Sequence, residues 1–460
     1  MSPHAAHFQA LVNGLQHTVA PSQRFTLSYN AETSDFIRFN HAKVRQAGQV
    51  AQATVSLKLI ENGRQAELQL TLSEDLEVDR QRLTQAVHQL SQTLPLLQPD
   101  PYLQLNTSQW QTRHVDDTPL PDAADIVEQI GTAARGLDLV GIYAAGTICR
   151  GFANSDGATG WHQANSFNFD FSLLHANGEA VKANYAGQQW QAQAFADRLA
   201  QARVQLEHLS RPLKVLPPGA YRAYLAPAAL DEIIGMLGWG GFSAQAIASK
   251  NSPLQRLYAG EARLSAQVSF EERVSGSLTP AFSQEGYPRK DLSLVSHGLA
   301  AERLVDSRSA AEYGLQGNGA DNSEMPGALQ MAAGDLPLAD VLQRLGTGLY
   351  ISNLWYLNYS DMPAARMTGL TRFATFWVED GHIVAPVNTM RFDDSVYSVL
   401  GDQLEALTAE RELILSTSTY GERQTHSTLL PGALVKRLLL TLYAPPLAAQ
   451  AAPRCISTPR

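Results

Sequence analysis

Two runs of strict alternation, Val55, Leu57, Leu59 and then Ala66, Leu68, Leu70, Leu72, flank the dipeptide Asn62-Gly63. Period two sends successive side chains to opposite faces of a strand. Asn-Gly accepts the positive φ of a tight turn cheaply, so this segment is predicted to be an antiparallel hairpin with one buried face. Behind it Leu83, Val87, Leu90 and Leu94 recur at helical spacing, and Pro95 marks the stop because its ring cannot continue a helix. A β-β-α start is therefore expected. The stretch Met1 to Gln23, with His4, His7 and His17 scattered through it, reads as polar and mobile, without the apolar core or cleavage site of a secretory signal.

Further along, a helix is expected from Ala123 to about Ala134. Leu139 to Cys149 reads as a buried strand entering the turn Asn154-Ser155-Asp156-Gly157, and Phe167, Phe169 and Phe171 alternate as another strand. A helix from Gln189 to about Leu209 ends where Arg211 to Gly219, with three prolines, breaks all periodicity. The domain boundary is placed there. The second half is strand-rich, with Asp380-Gly381 turning Thr375 to Val378 into Ile383 to Val387, and a glycine-punctuated loop from Gly314 to Gly327. The expected fold is α+β in two domains: a mixed N-terminal domain over residues 1–212, a larger antiparallel-sheet-rich domain over 213–450, and a tail, 451–460.

A chain of 460 residues, 44% hydrophobic, can bury more than one core. With 35 Lys+Arg against 44 Asp+Glu its formal charge is -9, and no basic stripe tracks phosphates, so nucleic acid is not an expected partner. Only Cys149 and Cys455 are present, which rules out a disulfide framework or a C-x-x-C knuckle and suits a reducing cytoplasm. The most apolar segment, Leu434 to Tyr443, is interrupted by Lys436 and Arg437 and falls short of the roughly 20 residues of a membrane helix; it reads as a buried helix or strand. Nucleophile-elbow, phosphate-loop and dinucleotide fingerprints do not occur.

Past the boundary, Leu230, Ile233, Ile234 and Leu237 fall at i, i+3, i+4 and i+7, predicting an amphipathic helix from about Pro227. On it lies Asp231-Glu232-Ile233-Ile234-Gly235-Met236. Here the sequence resembles the TldD/PmbA family, whose active members carry a His-Glu-x-x-x-His zinc motif on this helix. Glu232 and Gly235 match, whereas Asp231 and Met236 stand at the two histidine positions. The resemblance extends in order through Ser283 to Pro288, Asp306-Ser307, Gly348 to Ile351, Trp355-Tyr356, Thr368 to Arg372, Glu379 to Gly381, and Pro386 to Phe392. Active relatives complete the zinc site with a C-terminal cysteine, and Pro386 to Ser398 contains none.

The resemblance implies a zinc-peptidase ancestry with the ligands lost. A thioether is a poor zinc ligand, and Glu232 as general base has no metal-bound water to activate. Positions five apart also lie about 140° around a regular helix, so a paired site needs the helix to distort. Asp231, Glu232 and Met236 are accordingly read as a vestigial motif, with no metal and no cofactor expected. The implied role is a cytoplasmic, non-catalytic subunit that forms a peptide chamber with a zinc-bearing paralogue. The alternatives are an active metal-dependent peptidase with unconventional ligands and a homodimer or larger homo-oligomer that binds unfolded or extended peptides. Trp355, Tyr356 and Asn358, with Tyr359, can flank an extended peptide or simply pack a strand. Arg372 and Arg391 can grip a carboxylate or pair across a sheet.

Overall fold

A computed structural model describes residues 2–443 of the chain. Helix α1 (Pro3–Thr18) opens it, with Ser2 accepting from the Ala5 amide as N-cap. The N-terminus thus differs from the mobile stretch expected from sequence: Phe8, Leu11, Val12 and Leu15 form a helical stripe that is almost wholly buried, and His7 Nε2 meets the buried Asp79 carboxylate at 3.0 Å. The chain then builds the first sheet from β1 (Arg24–Asn40), β2 (Lys43–Glu61), β3 (Arg64–Thr71), β4 (Gln111–Asp116), β5 (Asp138–Asn154), β6 (Thr159–Leu174) and β7 (Ala180–Gly187). Helix α2 (Leu76–Thr93) follows β3, and α3 (Ala123–Ala133) precedes β5.

The sheet order is β3-β2-β1-β5-β6-β4, with β7 also bonded to β6. The β2–β3 hairpin turns at Asn62 and Gly63, both at positive φ. Alternation is what divides the sheet's two faces. One face packs Leu27, Tyr29, Leu57 and Leu59 against α1 and α2, and the other packs Phe167, Phe169 and Phe171 against α4 (Ala192–His208) and Trp190.

The second sheet comprises β8 (Gly219–Leu225), β9 (Phe270–Glu272), β10 (Leu292–Ser296), β11 (Leu299–Ala300), β12 (Ala328–Met331) and β13 (Gly348–Asp361). It is completed by β14 (Arg366–Glu379), β15 (His382–Pro386), β16 (Met390–Ser395), β17 (Leu404–Leu415) and β18 (Ser427–Tyr443). Its order is β11-β10-β9-β12-β18-β16-β14-β13-β8, and β8 pairs back onto β18. Five strands, β8, β13, β14, β16 and β18, therefore close on themselves, which removes their edges. The apolar segment at Leu434 is a strand of this ring. The molecule is α+β with two domains. Cys455 and the tail over 451–460 lie outside the described residues. Among the described residues no helix is long and apolar enough to cross a membrane.

Several contacts clasp the domains, among them Arg308 to Asp100 at 2.6 Å and the three that follow. Arg423, 5% exposed, reaches from the β17–β18 connection into the first sheet, where it donates to the Ser166 carbonyl and hydroxyl at 2.9 and 2.7 Å and to the Gly146 carbonyl at 3.3 Å. Arg198 of α4 meets Glu412 of β17 at 2.9 Å. The Gly286 carbonyl accepts from both Trp110 Nε1 (2.9 Å) and Asn106 Nδ2 (2.6 Å).

Candidate functional site

Helix α5 (Pro227–Gly238) forms where the sequence places it. Pro227 occupies its first turn, where a missing N–H costs nothing. Leu230, Ile233, Ile234 and Leu237 are buried against the ring of strands. The end is set by glycine: Gly240 has φ +82°, and the Gly241 amide bonds to the Leu237 carbonyl at 2.8 Å, against which a Cβ at Gly241 would collide. Tyr359 of β13 adds a hydroxyl bond to the Met236 carbonyl at 2.8 Å.

The helix runs without a break through the motif, so its positions diverge as regular geometry requires. Asp231, Glu232 and Gly235 face a cavity, while Met236 is 6% exposed and packs in the core. Asp231 accepts the Thr428 hydroxyl of β18 at 2.6 Å. Burial, with the Glu412 charge, nonetheless lifts its carboxyl above the ordinary aspartate range. Glu232 is raised too, first by loss of water on the cavity wall and then by the Asp231 charge. Among the described residues no three His, Cys, Asp or Glu side chains converge as a metal-binding group. Two neighbouring carboxylates and a core thioether do not fit the zinc site of the motif.

The cavity, about 710 Å³, lies between the domains. Asp170, Lys182 and Asn184 of β6 and β7 and Arg198 and Gln205 of α4 form one wall; α5, β8, β13, β17 and β18 form the others. Two strand edges border it. β7 is bonded to β6, and β17 from Arg411 to Leu415 is bonded to β18; the two strands approach each other across the cavity. Asn168 helps hold that approach, its Nδ2 donating to the Leu415 carbonyl at 3.1 Å.

None of Trp355, Tyr356, Asn358, Arg372 and Arg391 lines this cavity. Arg391, Leu370 and Trp355 are neighbours across β16, β14 and β13. The Arg372 guanidinium stands 5.9 Å from the exposed Trp355 ring and 5.5 Å from Phe373. Tyr356 is 81% exposed at φ +56°, and Asn358 turns its side-chain oxygen back onto the Tyr359 amide. These residues form an outer aromatic and basic surface. Lys182, on the cavity wall, lies 6.0 Å from the Phe373 ring, which puts the Arg372 corner beside the cavity.

Sequence reasoning missed most of the cavity. Lys182, Arg198, Tyr224, Asn353, Glu412 and Thr428 come from six different elements and share no spacing. Asn353 alone carried a signal, lying two residues before the aromatic cluster. Cys149, a free and buried thiol on β5, has its pKa pushed up to about 12 by burial, so it is an inert core residue rather than a nucleophile.

A family profile described as the PmbA/TldA metallopeptidase C-terminal domain matches residues 218–441. No curated protein matches the chain. Among solved structures, TldE from Thermococcus kodakarensis superposes with a TM-score of 0.76 at 14% identity, covering 95% of this chain and 100% of its own. A protein from Thermotoga maritima described as a candidate modulator of a DNA gyrase gives 0.74 at 14% identity, with coverage of 95% and 100%. One from Bacteroides thetaiotaomicron, described in the same way, gives 0.71 at 15% identity, with coverage of 96% and 99%. These likenesses establish the fold over nearly the whole chain.

Proposed function

The chain belongs to the TldD/PmbA family, and from that premise we propose that it is a non-catalytic member that holds extended peptides between its two domains. In this reading it forms a peptide-processing chamber with a zinc-bearing paralogue. The observation that carries the reading is the placing of α5: its polar face opens into the interdomain cavity with Asp231 and Glu232, while Met236 is turned into the core. The cavity keeps a half-open space wide enough for a peptide, and among the described residues no three of its His, Cys, Asp or Glu side chains converge to hold a metal. Strand edges on β7 and β17 support extended peptides as the occupant, since a strand edge offers backbone donors and acceptors to any sequence. The setting is the cytoplasm, with which the free thiol of Cys149 agrees.

The test is recovery of the tagged chain from its native cells under gentle conditions, followed by native mass spectrometry. The expected result is a stoichiometric complex with a zinc-bearing paralogue. Recovery of the chain alone, with no peptide bound saturably by the purified protein, would end the proposal.

A further inference from the structure

The charged groups on the cavity wall do not balance. Five carboxylates face three Lys or Arg side chains there. Lys182 answers Asp170 at 3.5 Å and Arg198 answers Glu412 at 2.9 Å. Arg411 turns its guanidinium to the Met331 carbonyl at 3.1 Å. Asp231 and Glu232, adjacent on α5, make no salt bridge among the described residues: the Lys182 charge reaches Glu232, but its ammonium pairs with Asp170, and among those residues the one hydrogen bond to either carboxylate is from Thr428 to Asp231.

Two polar side chains more than nine-tenths buried line the same cavity with unused capacity. Tyr224 is 1% exposed and its hydroxyl, packed against Gly432, has no hydrogen-bond partner among the described residues. Asn353 is 8% exposed; its side-chain oxygen takes the Ser352 hydroxyl at 2.9 Å, and its amide nitrogen has no acceptor among the described residues. Buried polar groups are ordinarily satisfied, and the Asn353 amide, on the cavity wall, is open to donate to a bound molecule.

We infer that the α5 wall is a subsite for a cation carried by the bound peptide, either a lysine or arginine side chain or a free N-terminal ammonium. The inference rests on the reading of the cavity as peptide-holding and adds what the cavity selects. A cation seated at Glu232 and the free oxygen of Asp231 relieves the repulsion between them. The Asn353 amide is then placed to donate to a carbonyl of the same peptide, and a charge-assisted contact of this kind fixes register along an otherwise sequence-blind strand edge.

The experiment measures binding of fluorescent peptides of equal length to the full chain by anisotropy at low salt. Three are acetylated and amidated, uncharged except at one central position that holds Lys, norleucine or Glu; a fourth has norleucine there and a free N-terminus. The expected result is that the Lys peptide or the free-amine peptide binds about tenfold more tightly than the capped norleucine peptide, and that the preference vanishes in Asp231→Asn/Glu232→Gln. Which of the two is preferred assigns the subsite to a side chain or to the chain end. The double variant is isosteric and keeps the Thr428 contact, and its fold is checked by circular dichroism. Equal affinity for all four peptides, or a preference that survives the double variant, overturns the subsite and leaves peptide holding intact. Absence of saturable binding by every peptide overturns both.

Discussion

The Thr428 hydroxyl donates to the Asp231 carboxylate at 2.6 Å, tying the residue at the first histidine position of the motif to strand β18. The residue at the second position, Met236, points elsewhere, into the core. Restoring both histidines is therefore not expected to restore a zinc site. Asp231→His/Met236→His should retain far less than one zinc per chain after dialysis, measured by elemental mass spectrometry. Met236→His alone should lower unfolding free energy by about 2 kcal/mol, because it buries an imidazole among apolar side chains. One tightly held zinc in the double variant would show that α5 can rearrange.

Arg423 is a buried link between the domains. Its guanidinium serves acceptors on β5 and β6 as well as the Ser34 hydroxyl of β1 at 3.3 Å, and burial brings its pKa down to about 10, so it stays charged at neutral pH. Arg423→Ala should cost about 3 kcal/mol in urea denaturation, since several buried acceptors lose a charged donor together. Arg423→Lys should recover only part of that loss, because an ammonium cannot span the same fork. A loss under about 0.5 kcal/mol in the alanine variant would mean the clasp is not needed.

Local rules made the elements legible and left their assembly largely hidden. The hairpin at Asn62-Gly63 and the one at Asp380-Gly381 are present because positive φ is cheap at those turns. Helix α5 was visible from its four apolar positions. Helix α1 is harder to read, because His4, His7 and His17 make its composition polar while Phe8, Leu11, Val12 and Leu15 keep one face apolar. The α5 motif could be read as lost because it lies within six consecutive residues. The cavity could not, because Lys182 and Glu412 lie on strands 230 positions apart and meet the same space only through sheet packing. The closure of β8 onto β18 was equally invisible, since antiparallel pairing of distant strands leaves no local trace.

Gly286 shows why one short block, Ser283 to Pro288, is built as it is. Its φ is +82°, the Phe152 ring occupies the space a Cβ would need, and its carbonyl takes two bonds from the other domain. Gly286→Ala should lower stability by about 2–4 kcal/mol, combining a left-handed backbone with a clash. The double variant Gly286→Ala/Phe152→Leu should regain part of it, as measured by chemical denaturation. Failure of the second change to help would locate the whole cost in the backbone.

His162 gives the fold a measurable acid sensitivity. It is 2% exposed, stacks on His114 with ring centroids 4.9 Å apart, and lies opposite Arg150 on the neighbouring strand. Burial, then the His114 and Arg150 charges, depress its pKa from 6.5 to about 4, against a hydrogen bond to the Leu278 backbone that works the other way. The unfolded chain takes up the proton near the ordinary value while the folded chain resists until about pH 4. Stability from this group is therefore complete above about pH 6.5 and is lost as pH falls toward about 4, by roughly 3 kcal/mol in all. Asp231 and Glu232, whose pKa values are raised, act in the opposite sense over the carboxylate range. Urea midpoints compared at about pH 7.5 and about pH 4.5 should drop less in His162→Gln than in the parent, since the glutamine has no proton to gain. If both proteins lose the same stability between those conditions, His162 is not the group that titrates.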